Sequence, residues 1–307
     1  MRAIFFGTPA IAVPSLVALS EVAELVGVVS QPDRPAGRGL RLQASAVKLA
    51  ALERGLEVYQ PTKVRSGELT AWLRERAPDL ALVIAYGRIL PGDVLAVPRL
   101  GCLNLHASLL PRYRGAAPIQ WAIIRGETET GISLMQMDEG LDSGPVFSRH
   151  TLPIAAAETY GELAERLALL AGDVVRSDLP RVAAGTLASE AQEHALATRA
   201  PPILKDDCRI DWSQSARDIL NLVRGLAPRP SAFSKLGEKQ LRITRGALSP
   251  GPFELAPGVV GTDGGRVWVG TGGELFELLA GQVEGKRELA ARDLVNGRVL
   301  SSGQVLG

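Results

Sequence analysis

Asn104, His106 and Asp142 are the residues whose types and spacing point to chemistry. Asn104 and His106 stand two apart at the end of the apolar run Cys102-Leu-Asn-Leu-His106, so a strand there sends both side chains off one face. Asp142 lies in Gly140-Leu-Asp-Ser-Gly144, a glycine-flanked stretch that reads as a neighbouring loop. An amide can donate to a developing oxyanion, an imidazole can pass a proton near neutral pH, and a carboxylate can orient that imidazole or take a proton. Such a set suits acyl transfer. No Ser or Cys occupies a G-x-S-x-G elbow, which points to direct transfer between two bound substrates rather than through an acyl-enzyme. On these residues alone a structural reading stays open, with Asn104 closing a turn, His106 packed as a polar core residue and Asp142 capping a loop.

The elements needed to position them follow from hydrophobic patterning. Ala3 to Phe6 and Leu25 to Ser30 read as strands around a helix that Thr8 can cap, with Pro9 in its first turn. A helix from Ser45 to Arg54, a short strand at Val58 and a helix from Gly67 to Arg76, with Leu69, Trp72 and Leu73 on one face, come next. Leu80 to Ala85 is an apolar run of strand length. Alternation of this kind predicts an α/β, Rossmann-like domain with a mostly parallel sheet, whose ligands lie beyond the C-terminal strand ends. Asn104 and His106 fall at one such end and Tyr86-Gly87-Arg88 at another. Gly7-Thr-Pro9 has neither G-x-G-x-x-G spacing nor a Walker lysine, so a nucleotide site there is disfavoured.

Thr159 to Ala184 reads as a long helix with Leu163, Leu167, Leu170 and Val174 inward, and Thr186 to Leu204, ending in Pro201-Pro202, as a linker. Beyond it a helix starting at Ser213 or Gln214 precedes short strands at Gln240 to Arg245, Gly258 to Thr262, Arg266 to Gly270 and Glu274 to Val283, which suits a small β-barrel. The expected division is residues 1–185, a linker 186–204 and a second domain 205–307.

With 46% hydrophobic and 22% charged residues, the 307-residue chain can bury two cores. Gly7-Thr-Pro9 and Pro14 interrupt the apolar N-terminus, which favours strand, turn and helix over a signal peptide. Two cysteines give no disulfide framework, and His106, His150 and His194 show no metal spacing, so no metal is expected. A net charge of +1 does not itself suggest nucleic acid. Local charge differs: Arg34, Arg38, Arg41 and Lys48 face only Asp33, and nine Lys or Arg face five Asp or Glu from Lys205 to Arg245. From charge alone, each cluster reads as a solvated face.

Asn104-Leu-His106, Ser108-Leu-Leu-Pro111, Tyr113-Arg-Gly115 and Asp142-Ser-Gly-Pro145 resemble the folate-dependent formyltransferases. Phe6-Gly-Thr-Pro9, Gln31 to Gly39, Ala116 to Ala122, Ile210-Asp-Trp212, Glu284-Gly-Lys286 and Asn296-Gly-Arg298 resemble the members that act on methionyl-tRNA, so the likeness spans nearly the whole chain. It implies a cytoplasmic, monomeric enzyme that takes a formyl group from 10-formyltetrahydrofolate to initiator Met-tRNA, with no membrane partner. By the same resemblance Asn104 would donate to the oxyanion, His106 would stabilise that oxygen and help protonate the leaving nitrogen, and Asp142 would set the imidazole's protonation and relay the amine's proton through water. Ser108, Leu109, Leu110 and Pro111 would contact folate, as would Ile84, Tyr86, Gly87 and Leu90 of the Leu82 to Leu90 segment. Arg34, Arg38, Arg41, Lys48 and Lys205 would contact tRNA, and the second domain would be an OB-like barrel. A formyltransferase acting on a sugar amine is the alternative, since it can share both the catalytic domain and a small C-terminal barrel. A binding protein without turnover is disfavoured by the intact trio. Where the family usually places Trp between two prolines, Pro228-Arg229-Pro230 carries arginine.

Overall fold

The computed structural model describes residues 1–36 and 41–307 and divides into two compact units. One comprises Met1–Pro118, Thr130–Pro153 and Ala164–Pro201; the other comprises Ile119–Glu129, Ile154–Leu163 and Pro202–Gly307.

In chain order the first part of the molecule runs β1 (Arg2–Gly7), α1 (Val13–Val22), β2 (Glu24–Val29), β3 (Arg34–Ala36), β4 (Arg41–Gln43), α2 (Ala46–Leu52) and β5 (Val58–Tyr59). It continues with α3 (Glu68–Arg76), β6 (Leu80–Ile84), α4 (Gly92–Leu95), β7 (Cys102–His106), α5 (Pro118–Ile124), β8 (Glu129–Gln136), β9 (Val146–Pro153) and α6 (Tyr160–Ala183). Seven strands form one sheet in the order β5-β2-β1-β6-β7-β8-β9. The pairs β5·β2, β2·β1, β1·β6 and β6·β7 are parallel, and β7·β8 is antiparallel. Every residue of β6 is buried, as expected of a parallel strand covered on both faces. The strand order turns outward in both directions from β1, which places a switch point at the C-terminal ends of β1 and β6.

Local expectations hold with instructive exceptions. Ser45 caps α2 by accepting the Lys48 N–H at 3.1 Å. Thr8 does not cap: its hydroxyl donates to the Tyr86 carbonyl at 3.2 Å, and Pro9 precedes a 3-10 turn at Ala10–Ala12. The long helix is α6, with Leu163, Leu167 and Val174 fully buried and Leu170 only half-buried, Ala171 taking the inner position instead. Residues 186–201 do more than link. They pair with the first unit through backbone bridges Arg114↔Arg199 and Val146↔Glu190.

The second unit carries α7 (Ala216–Leu226), β10 (Ala232–Leu236), β11 (Lys239–Leu248), β12 (Val260–Asp263), β13 (Arg266–Val269), β14 (Phe276–Val283), β15 (Glu288–Ala290) and α8 (Ala291–Asn296). Ser215, not Ser213 or Gln214, caps α7, accepting the Asp218 N–H at 3.1 Å. The sheet order is β10-β11-β14-β13-β12, all antiparallel, with β15 on β14. Its two ends are joined by the last residues: Leu306 bridges Leu236 of β10, and Val305 bridges Val259 beside β12. The sheet thus curls into a barrel whose edges are largely paired. Its core holds Trp212, Val223, Leu226, Leu241, Val267, Phe276 and Leu294, with Ile124 of α5 packed against it. Arg224 is buried here and donates to the Ala155 and Glu158 carbonyls at 3.2 and 3.1 Å, tying the 154–163 segment to α7. Arg229 is exposed, so the exchange of Trp for Arg puts a charge at the surface.

Glu277 on β14 receives two hydrogen bonds from Arg266, both 2.8 Å. This fork, against the opposing effect of burial, holds the carboxyl below the usual carboxylate range. The paired form is therefore stabilising at pH values above the unfolded-state carboxyl value, and the contribution is lost as pH falls through the lower folded value. Because Arg266 is largely exposed, Glu277→Gln is expected to cost only about 1 kcal/mol at pH 7. Chemical denaturation from pH 7 to pH 3 checks it: the gap between the variants should close toward the acid end.

Candidate active site

β7 sets the site. Its register places Asn104 between Val83 of β6 and Met135 of β8, and His106 opposite Ser133 of β8. Asn104 and His106 share a strand face as the two-residue spacing predicts. His106 is 6% exposed, Asn104 is half-buried, and among the described residues no protein group pairs with the Asn104 amide.

The His106 ring is oriented by one bond. Its Nε2 lies 2.9 Å from the Tyr113 carbonyl, which can only accept, so Nε2 carries a hydrogen and Nδ1 is the nitrogen left to exchange a proton. Nδ1 faces Asp142 Oδ2 at 3.7 Å, too long for a direct hydrogen bond. The same Oδ2 accepts the Gly115 N–H at 2.8 Å. Asp142 itself has a φ of 49°, in the left-handed region. The sequence trio is thus assembled: two members on one strand end and one from a loop facing it.

The folate candidates divide. Ser108 is buried, its Oγ donating to the Arg112 carbonyl at 2.7 Å, while its carbonyl accepts from Ser133 Oγ at 2.6 Å. Ser133 Oγ in turn accepts the Leu110 N–H at 3.1 Å, and the Leu110 side chain packs on Met135 and Val146. Ser108 and Leu110 therefore build the loop, leaving Leu109 and Pro111 half-buried at its surface. Ile84, Tyr86 and Leu90 also turn inward. Tyr86 meets Phe6 edge-on at 5.3 Å, and burial pushes its phenol up to about 12. The exposed positions of this segment are Ala85, Gly87 and Ile89. Gly87 has a φ of 78°, and a Cβ there would lie 2.6 Å from Gln31 Nε2. Gln31 donates to the Tyr86 carbonyl at 2.7 Å, closing the switch point between the β2 and β6 ends.

Of the basic candidates, Lys48 is engaged with Asp33 at 2.7 Å and Gln60 at 2.8 Å. Gln60 and Lys48 hold the Asp33 carboxyl below its usual range. Arg34 is exposed and donates to Gln31, Arg38 lies outside the described residues, as does the Arg41 side chain, and Lys205 is exposed in the second unit. Sequence reading did not find Tyr113, Gly115, Arg114 or Gln192 as site residues. The first three lie inside the Pro111 to Gly115 motif, but Gln192 carries no local signal.

Among the described residues no group of His, Cys, Asp and Glu is arranged to hold a metal ion, and no helix is long and apolar enough to cross a membrane. Residues 1–177 match the family described as formyl transferase, and residues 202–299 match the formyl transferase C-terminal domain. The chain is 53% identical to the methionyl-tRNA formyltransferase of Sorangium cellulosum over 316 aligned positions, covering 100% of both. Among solved structures it is similar to a methionyl-tRNA formyltransferase from Clostridium thermocellum, with a TM-score of 0.56, 19% identity, and coverage of 81% of this chain and 94% of that one. It is also similar to an N-formyltransferase from Helicobacter canadensis in complex with folinic acid and dTDP-3-aminofucose, with a TM-score of 0.67, 17% identity, and coverage of 90% and 98%.

Proposed function

The chain belongs to the formyl transferase family, and from that premise we propose that it moves the formyl group of 10-formyltetrahydrofolate to the amino group of initiator methionyl-tRNA in the cytoplasm, acting as a monomer. One observation carries the chemistry: Asn104 and His106 on one face of β7, with Asp142 Oδ2 at 3.7 Å from the imidazole. The amine attacks the formyl carbon, its C–N bond to folate N10 breaks, the amine loses a proton and N10 gains one. The Asn104 amide, which has no protein partner among the described residues, is free to donate to the oxyanion as charge develops. His106 Nδ1, with Nε2 fixed on Tyr113, delivers the proton to the leaving nitrogen. Asp142 takes the amine's proton through water and hands it on to Nδ1, so the proton the amine loses is the one N10 gains. No covalent enzyme intermediate is needed.

For the folate donor, the reading is supported by the exposed Ala85, Gly87 and Ile89 and by the half-buried Leu109 and Pro111, which leave a surface for a planar pterin edge. Ile84, Tyr86, Leu90, Ser108 and Leu110 would then shape that surface from beneath. Catalysis falls to residues 1–185, and holding the tRNA to residues 205–307. Full-length relatedness to methionyl-tRNA formyltransferases favours tRNA over a sugar amine, because the likeness to the sugar enzyme lies at an identity that speaks for fold alone. The test is formyl transfer from 10-formyltetrahydrofolate to purified Met-tRNA, run beside a nucleotide-linked amino sugar. Turnover on the sugar with none on Met-tRNA would overturn the proposal.

Arg38, between Gly37 and Gly39 in the insertion after β2, is expected to act on the acceptor end of tRNA. Arg38→Ala should lower kcat/KM for Met-tRNA by about tenfold or more, the scale of one charge-assisted contact, and leave folate affinity unchanged. Steady-state kinetics together with folate titration check this, and an equal fall in folate affinity would move the loop to the folate site.

A further inference from the structure

We infer that Gln192 is a positioning residue that holds Asp142 in its working place, and that residues 190–200 form a strap across both loops of the site. The inference rests on the role proposed above for Asp142. Gln192 is buried, and its amide is fully used: Nε2 donates to the Asp142 carbonyl at 2.9 Å and the Gly144 carbonyl at 2.7 Å, while Oε1 accepts from Arg114 Nε at 3.1 Å and a terminal Arg114 nitrogen at 2.7 Å. Asp142 is therefore gripped twice, in front by the Gly115 N–H on its carboxylate and behind by Gln192 on its carbonyl.

That grip matters because a non-glycine residue in the left-handed region persists only where its surroundings over-determine it. The strap also anchors the facing loop. Arg114 exchanges main-chain bonds with Thr198 and Ala200, each 2.8 Å, and the Tyr113 N–H donates to Thr198 Oγ1 at 2.8 Å. Val146, just past Gly144, exchanges a pair of main-chain bonds with Glu190 at 2.8 and 2.9 Å. Tyr113 orients His106, and Gly144 lies two residues from Asp142, so one segment sets both halves of the His106–Asp142 separation. Arg114 contributes through Gln192 and also reaches His194 Nδ1 at 3.2 Å.

Single-turnover kinetics on Gln192→Leu and Gln192→Glu, each made in the unaltered protein and in Asp142→Ala, test this. Gln192→Glu keeps an acceptor for Arg114, so it carries the test should Gln192→Leu fail to fold. In the unaltered background the rate at saturating substrates should fall about ten- to a hundredfold, the scale of a displacement near one ångström, with KM for both substrates little changed. In Asp142→Ala the same substitution should remove less than about twofold more, because the residue it acts through is gone. Equal losses in both backgrounds, no loss, or a change in KM alone would overturn the inference while leaving the role of Asp142 intact. Normal turnover in Asp142→Ala by itself would overturn both.

Discussion

His106→Ala should lower kcat by about a hundred- to ten-thousandfold, the range for losing a general acid or base, and Asn104→Ala by about a hundred- to a thousandfold, the range for one oxyanion donor. Asp142→Ala should fall with His106→Ala, since it faces the same ring nitrogen at 3.7 Å. The three differ in what they do to the fold. Asn104 has no protein partner among the described residues, so its removal should leave Tm close to unchanged. His106 is buried and bonded to the Tyr113 carbonyl, so its removal takes away that bond and should cost about 1 kcal/mol of stability. Rates must therefore be taken per folded molecule, with melting curves beside them. Double and triple variants should be little slower than the slowest single, because the groups act on one transition state. Near-normal turnover at saturating substrates in any single variant would remove that residue from the mechanism.

The strand-borne part of this site was legible because strand geometry is periodic. A polar residue at each end of Asn104-Leu-His106, in an apolar run, can only mean one shared face once the run is a strand. Asp142 was legible because glycines at 140 and 144 mark a loop. Gln192 was not, since its partners lie 48 to 78 residues away and the chain around it has neither period. The folate candidates show a related limit. Motif reading chose Ile84, Tyr86, Gly87 and Leu90, of which only Gly87 is exposed; Ile84, Tyr86 and Leu90 are buried, and the exposed neighbours are Ala85 and Ile89. Thr8 has a capping side chain in a capping position, yet a carbonyl from a strand end distant in sequence takes its hydroxyl. Three short strands carry too few residues to show a period, β3, β4 and β15 having three each, and the barrel closes through Val305 and Leu306. That α5 belongs with the barrel is a matter of which apolar surface Ile124 meets, which no local pattern encodes.

That last point decides how tRNA holding by the second unit should be tested. Cutting the chain at Leu204 would strip Ile124 and the 154–163 segment of the core and of the Arg224 bonds they rest on, so loss of function would report misfolding. Charge substitutions avoid this. From Lys205 to Arg245 every Lys and Arg except Arg224 is exposed. Lys205 and Arg242 line a groove of about 370 Å³ with Phe233 and Gln240, and Lys235 pairs with Gln240 across β10 and β11. Phosphates bound there would release counterions, and each contact steepens the dependence of log affinity on log salt by roughly 0.7 to 0.9. Replacing Lys205, Lys235 and Arg242 together by alanine should therefore flatten that slope by about 2 to 2.7 and weaken tRNA binding at low salt far more than at high salt. Surface positions of this kind leave the core intact, so Tm should hold within a few degrees and kcat at saturating acceptor should persist, because none of the three belongs to the Asn104, His106 and Asp142 constellation. Titrating tRNA against both proteins across a salt series measures the slopes. Identical slopes and affinities would assign the second unit another task and shift weight toward the sugar-amine acceptor.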